Sequence, residues 1–176
     1  MKITKCVIEG VYIIEPKVFK DKRGLFLETF RVSQYRNEVG IAETFVQDSI
    51  SRSSKDVLRG MHFQKNNPQG KLVHVLKGEV FDVVVDIRKD SKTFGHWVGE
   101  YLNEENRKQF WIPPGLAHGF VVISEYADLY YKLTQYYDAA DEGRLIWDDA
   151  DVGIKWPIKK PLLSIKDQKG LSLKEL

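Results

Sequence analysis

The sequence predicts a mainly β fold, an antiparallel β-barrel or jelly roll with a few short helices, in a single domain over residues 1–176. Three observations carry that prediction. Short apolar or alternating runs recur along the chain, separated by turn residues, while helical periodicity is scarce. At 176 residues the chain is long enough for one real core and too short for two comfortable ones. Two segments, 58–64 and 112–120, each set a histidine beside a tight glycine turn within a strand-like run. A small barrel brings two such histidines to one pocket from different strands.

From the amino end, Val11–Ile14 and Leu25–Phe30 are short apolar runs that read as strands. Ser33 to Val39 predicts one or two helical turns ending at Gly40. Val57–Phe63 and Leu72–Leu76 follow as strands, and Lys77-Gly78 reads as a hairpin turn into the next. That next strand, Glu79 to Arg88, is the clearest. Phe81, Val83, Val85 and Ile87 share one face while Asp82, Asp86 and Arg88 fall on the other, the period-two pattern of a half-buried strand. Trp97–Leu102, Gln109–Ile112 and Gly119–Ile123 continue the series. In Leu129–Tyr137, parity groups Tyr131, Leu133, Gln135 and Tyr137 on one face, so an inward Tyr131 implies an inward Tyr137 near the barrel mouth. The tail after Pro157 predicts a short helix or two.

Bulk properties exclude some functions. Lysine and arginine number 27 against 25 acids, for a net charge of +2 with no basic run. Neither nucleic acid nor an anionic membrane is implied as a partner. Cys6 is the single cysteine, so an intramolecular disulfide is impossible and a reducing compartment is expected. The amino end has no apolar stretch of signal-peptide length, and nowhere do about 18 apolar residues run together. A cytoplasmic protein is the expectation.

The two histidine segments read Leu58-Arg59-Gly60-Met61-His62-Phe63-Gln64 and Ile112-Pro113-Pro114-Gly115-Leu116-Ala117-His118-Gly119-Phe120. They look like the halves of a cupin site with its metal ligands edited away. A metal-binding cupin supplies two histidines one residue apart, then a carboxylate, then a later histidine. Here Gln64, a poor ligand, stands where the second histidine belongs, so no metal is expected. A pocket histidine without a metal is a candidate general base. Arg59 and Gln69-x-Lys71 place further polar groups where a packed barrel wants aliphatics. His74 reads as a strand residue and His96 as surface.

Other candidates each have a plainer reading beside the functional one. Lys71 suits a developing oxyanion, although a strand lysine more often snorkels to water. Tyr131 carries a phenol able to give a proton and Tyr137 a ring able to stack on a base or sugar, although barrel packing also explains both. Arg23 and Glu28 suit a phosphate and a base or sugar, or make an exposed charged hairpin. Asp167 suits the orientation of an imidazole, or is a loop charge.

Together these segments resemble one family, the dTDP-4-dehydrorhamnose 3,5-epimerases, which are metal-free cupins. The resemblance runs from Gly10 to about Leu171. It takes in Asp21-x-Arg23-Gly24, Phe45-Val46-Gln47-Asp48, both histidine segments, Gln69-Gly70-Lys71-Leu72-Val73 and Asp82-Val83-Val84-Val85-Asp86-Ile87-Arg88. It continues through Tyr131-Lys132, Tyr136-Tyr137, Trp147-Asp148-Asp149 and Ser164-Ile165-Lys166-Asp167. The resemblance implies His62 as base, oriented by Asp167, and Tyr131 as acid on the opposite face of the sugar. Lys71 would stabilise the enolate oxygen, with His118 nearby. Arg59 and Arg23 would hold the pyrophosphate, Glu28 and the turn Gln47-Asp48-Ser49 the nucleotide, and Tyr137 would stack on thymine. Glu142 and Lys166 match further ligand-contacting positions. It further implies a homodimer in which the Arg23–Glu28 segment reaches the partner's active site, and dTDP-4-dehydro-6-deoxyglucose as the ligand. One departure is visible: the family reads Gln-x-Asn where this chain has Gln47-Asp48-Ser49, and serine lacks the amide's fork of donor and acceptor.

Epimerisation beside a 4-keto group needs a base, an oxyanion stabiliser and an acid on the far side, and no redox cofactor. His62, Lys71 and Tyr131 meet that list. Three rivals remain open from sequence: inversion at C3 or C5 alone on a related 4-keto sugar nucleotide, a non-catalytic sugar-nucleotide-binding cupin, and a metal-dependent cupin oxygenase. The His62, Asp167 and Tyr131 set argues against mere binding, and Gln64 argues against the oxygenase.

Overall fold

Two antiparallel sheets face each other across an apolar interior in the computed structural model, which describes residues 1–176. The strands are β1 (Lys2–Lys5), β2 (Tyr12–Glu15), β3 (Val18–Asp21), β4 (Gly24–Leu27), β5 (Gln47–Ser54), β6 (Leu58–Gln64) and β7 (Lys71–Lys77). They continue as β8 (Glu79–Asp86), β9 (Trp97–Asn103), β10 (Gln109–Ile112), β11 (Leu116–Val122), β12 (Tyr126–Leu133) and β13 (Glu142–Arg144). One sheet has the order β1-β2-β10-β7-β12-β5 and the other β13-β6-β11-β8-β9, while β3 and β4 pair only with each other. This is the cupin-type jelly roll that the sequence predicts.

Alternation along the strands explains the layers. Val73 and Val75 of β7, Phe110 and Ile112 of β10 and Leu129 of β12 point inward, where they meet Val80 and Val84 of β8 and Phe120 and Val122 of β11. The outward residues are also covered. On the five-stranded sheet, Met61, Phe81, Val83, Val85 and Val121 lie beneath Leu145, Trp147, Val152, Trp156 and Leu173 of the carboxy-terminal chain. On the six-stranded sheet, Ile14, Leu72 and Trp111 lie beneath Tyr35, Val39 and Ile41. Burying a large apolar side chain stabilises by roughly 1.5–3 kcal/mol, so these outer layers matter as much as the interior.

Several elements depart from the sequence expectation. The β8 strand is not half-buried: Asp82 and Asp86 are both fully buried. Asp82 faces the interior between Val80 and Val84, and Phe81, Val83 and Val85 face the covered exterior. Lys77-Gly78 does not close a hairpin, because β7 and β8 belong to different sheets. Gly78 turns this corner at φ +79°, where an added Cβ would lie 2.1 Å from the Tyr126 carbonyl oxygen. Gly60 and Gly119 lie within strands and make no turn. The expected helix at 33–39 is a short segment, α1 (Val32–Gln34), running into a π-helical turn (Tyr35–Val39). Gly40 ends it at φ +88°, with the Gly40 and Ile41 amides both donating to the Tyr35 carbonyl. The tail forms two 3₁₀ turns, Asp167–Lys169 and Leu173–Glu175. Sequence reading missed β1, β3, β5 and β13. No helix is long and apolar enough to cross a membrane.

Candidate active site

The site begins with a close approach of two glycines. β6 and β11 pair so that His62 stands opposite His118, and the register slips between His118 and Phe120. A Cβ on Gly60 would lie 2.5 Å from the Gly119 Cα, and one on Gly119 would lie 2.6 Å from the Met61 sulfur. Two residues without side chains therefore let the histidine strands meet at van der Waals distance. On the other edge of β6, β13 sets Arg144 opposite His62 and Glu142 opposite Gln64. From the facing sheet, β7 contributes Lys71 and β12 contributes Tyr131. A cavity of about 300 Å³ results, lined among others by Gln47, Ser49, His62, Lys71, Tyr131, Tyr137 and Glu142. The inward parity of Tyr131, Leu133 and Tyr137 holds, although β12 ends at Leu133 and Gln135 is exposed.

His62 Nε2 lies 2.6 Å from Asp167 Oδ1. With a proton held on Nε2 toward that carboxylate, Nδ1 is the accepting nitrogen. Asp167 is itself buried, and the Ser164 hydroxyl accepts a bond from its amide at 3.1 Å. Burial opposes its charge, but the bond to His62 and the cations around it outweigh burial and hold its carboxyl below the ordinary range. Lys71 is buried, and burial pushes its ammonium down to about 8 against the opposing pull of Asp82 and Glu142. Its Nζ lies 3.4 Å from the His62 carbonyl oxygen. Burial raises the Tyr131 phenol, so it keeps its proton across the neutral range.

A second groove of about 430 Å³, lined by Arg59, Lys166 and Asp167 among others, shares His62, Tyr137 and Glu142 with the first. Between the two, the Tyr137 hydroxyl donates to Glu142 at 2.7 Å, and the Tyr137 amide donates to Gln47 Oε1 at 2.9 Å. Arg59 reaches the Ser53 hydroxyl at 2.9 Å. His118 sits behind the cavity, buried, with Nε2 2.9 Å from Asp82. Burial pushes its ring down despite that carboxylate.

Three expected ligand contacts lie elsewhere in this chain. Asp48 alternates with Gln47 and Ser49, so its carboxylate points out of the barrel and accepts from Lys132 at 2.7 Å. Arg23 sits at the tip of the β3–β4 ribbon, bonded to Asp21 at 2.6 Å and exposed. Glu28 follows that ribbon and accepts from Arg31 at 2.6 Å. The depressions beside the ribbon are lined by neither histidine nor tyrosine. Gln64 is committed to bracing loops: its amide donates to the Asn67 and Tyr136 carbonyls and accepts from the Asp138 amide. No group of three or more His, Cys, Asp or Glu side chains is arranged as a metal site. His74, on the outer face of β7, packs at a tilt against Tyr130 with ring centroids 5.0 Å apart, and His96 is exposed.

Sequence reading assigned no role to Asp82 or Arg144. A carboxylate inside a valine run was the available signal for Asp82. For Arg144 there was none, since a three-residue strand carries too little pattern.

A cupin barrel whose cavity holds an oriented imidazole, a buried ammonium and a protonated phenol is built for proton transfer at carbon. Comparison with known proteins gives the lineage. Residues 5–175 match the family model described as dTDP-4-dehydrorhamnose 3,5-epimerase. The chain is 53% identical over 169 residues to the dTDP-4-dehydrorhamnose 3,5-epimerase of Salmonella typhimurium, covering 95% of this chain and 92% of that protein. It superposes with TM-score 0.96 and 49% identity on dTDP-6-deoxy-D-glucose-3,5-epimerase from Legionella pneumophila in complex with dTDP-4-keto-L-rhamnose, covering 98% and 93% of the two chains. A 3′-monoepimerase from Streptomyces bikiniensis in complex with dTDP-quinovose also matches, at TM-score 0.90 and 31% identity over 96% and 86%. The chain belongs to the dTDP-4-dehydrorhamnose 3,5-epimerase family.

Proposed function

We propose that this protein inverts C3 and C5 of dTDP-4-dehydro-6-deoxy-D-glucose to give dTDP-4-dehydro-L-rhamnose. The observation that carries the reading is the His62–Asp167 pair lining one cavity with Lys71 and Tyr131. The hydrogens on C3 and C5 are both α to the C4 carbonyl. His62 Nδ1 removes one, the C4 oxygen becomes an enolate stabilised by the Lys71 ammonium, and the Tyr131 phenol returns a proton to the opposite face. Solvent then takes the proton from His62 and returns one to Tyr131, and repetition at the second carbon completes the reaction without redox change. Arg59 and Lys166 bind the pyrophosphate, Gln47, Ser49 and Glu142 line the ligand's path, and Tyr137 leaves Glu142 to stack on the base. His118, buried behind Lys71, supports the enolate end.

The same reading takes residues 1–176 as one working domain in a cytoplasmic homodimer, with neither nucleic acid nor membrane as partner. Exposed Phe19, Leu25 and Phe26 on the β3–β4 ribbon support the dimer, since this apolar ribbon is unpartnered in one chain. Arg23 and Glu28 are then supplied to the partner's site.

The test is incubation with dTDP-4-dehydro-6-deoxy-D-glucose in D₂O, followed by NMR of the sugar. Deuterium at both C3 and C5, with the L-lyxo product, is the expected outcome. Exchange and inversion at one carbon alone would make the protein a mono-epimerase. Nucleotide binding without exchange would make it a binding cupin.

A further inference from the structure

Two carboxylates face the same edge of His62. Asp167 lies 2.6 Å from Nε2 and Glu142 Oε1 lies 3.7 Å from it. Both acids are nearly buried, so little water screens them. A second unopposed anion would favour the protonated imidazole, which is not a base. The Glu142 oxygen nearest His62 is the one that Arg144 meets, at 2.9 Å. The other Glu142 oxygen accepts from Tyr137. Arg144 lines neither groove of the site, and its Nε is buried without a hydrogen-bond partner. Its guanidinium is thus placed for charge rather than as a structural clamp.

Resting on the proposed epimerase reading, we infer that Arg144 is a positioning residue that cancels Glu142, leaving Asp167 as the one anion acting on the base. The remaining charged or titratable groups around His62 are Arg59 from β6 itself, Lys71 from β7, His118 from β11, Tyr131 from β12, and Lys166 beside Asp167. None of them touches Glu142 at hydrogen-bond distance. Arg144 and Tyr137 do, and of these only Arg144 carries positive charge.

The experiment is the pH dependence of kcat/KM for wild type, Arg144→Met, Glu142→Gln and the double variant, with thermal unfolding of each. Loss of Arg144 leaves a second anion beside the imidazole, so Arg144→Met moves the acid limb up by about one pH unit. Its rate recovers as pH rises. Glu142→Gln leaves Arg144 unopposed and moves the limb down. The double variant returns it to the wild-type position, a non-additive cycle that simple structural damage does not produce. Arg144→Lys keeps the charge and the wild-type limb. If Arg144→Met does not fold, the isosteric Glu142→Gln still tests the inference through its downward shift. A wild type that turns over while these limbs stay put overturns this inference alone. A wild type without exchange at either carbon removes the epimerase reading and this inference with it.

Discussion

At the scale of single residues, burial sets the chemistry. Lys71 would be an ordinary lysine on an exposed strand, but enclosure brings its ammonium down to about 8. The ammonium is present below that pH and lost above it, so kcat should fall as pH rises through about 8. Lys71→Met should lower kcat by roughly 10²–10³-fold, and its remaining activity should lose that alkaline limb. A pH–kcat profile that keeps the limb in the variant would assign it to another group. For His62, the bond to Asp167 fixes a tautomer that a free imidazole would share with its alternative. His62→Ala should reduce both deuterium exchange and product formation by at least about 10²-fold while its unfolding curve stays cooperative. Near-normal turnover in that variant would remove His62 from the role of base.

At the scale of elements, the meeting of β6 and β11 depends on two absent side chains. Gly119→Ala would place a methyl 2.8 Å from the Arg59 carbonyl oxygen and 3.0 Å from the Gly60 Cα. Backbone atoms cannot swing aside, so a cost of about 1–3 kcal/mol is expected. Calorimetry should show Tm lowered by roughly 3–10 °C. Much of this level is legible in sequence. Period-two alternation locates β8 and groups Tyr131 with Tyr137 on one face, and Gly40 marks the end of the helical turn. The polar β5, Gln-Asp-Ser-Ile-Ser-Arg-Ser-Ser, escapes detection because its outward residues are solvated and its inward residues line a polar cavity. The three-residue β13 is too short to show any period. Alternation also misjudges the environment of Asp82, since it separates two faces without saying that both are covered.

At the scale of the whole molecule, the β3–β4 ribbon places Arg23 and Glu28 away from His62 in the same chain. A homodimer should elute with light-scattering mass near twice 20.4 kDa. Mixing Arg23→Ala with His62→Ala should restore activity when subunits exchange, because each mixed dimer rebuilds one intact site. Random pairing sets the recovery at about a quarter of the wild-type rate. No recovery, in a mixture shown to contain mixed dimers, would place Arg23 outside the partner's site.

The family resemblance names the side chains proposed to move protons; local alternation and turn chemistry are enough to specify a β-barrel and most of its strands. They depend on neighbours in the chain, and neighbours are visible in a sequence. The assembled sheets settle the rest. Asp167 reaches His62 across 105 residues, Glu142 and Arg144 join them through a strand too short to announce itself, and Asp48 turns outward to Lys132 while Gln47 and Ser49 turn in. Lys77-Gly78 carries the chain between sheets where a local reading sees a hairpin. These outcomes rest on which distant strands pair, and in what register. Packing of the whole core selects that register, because slipping any strand by one residue would exchange its buried and exposed faces.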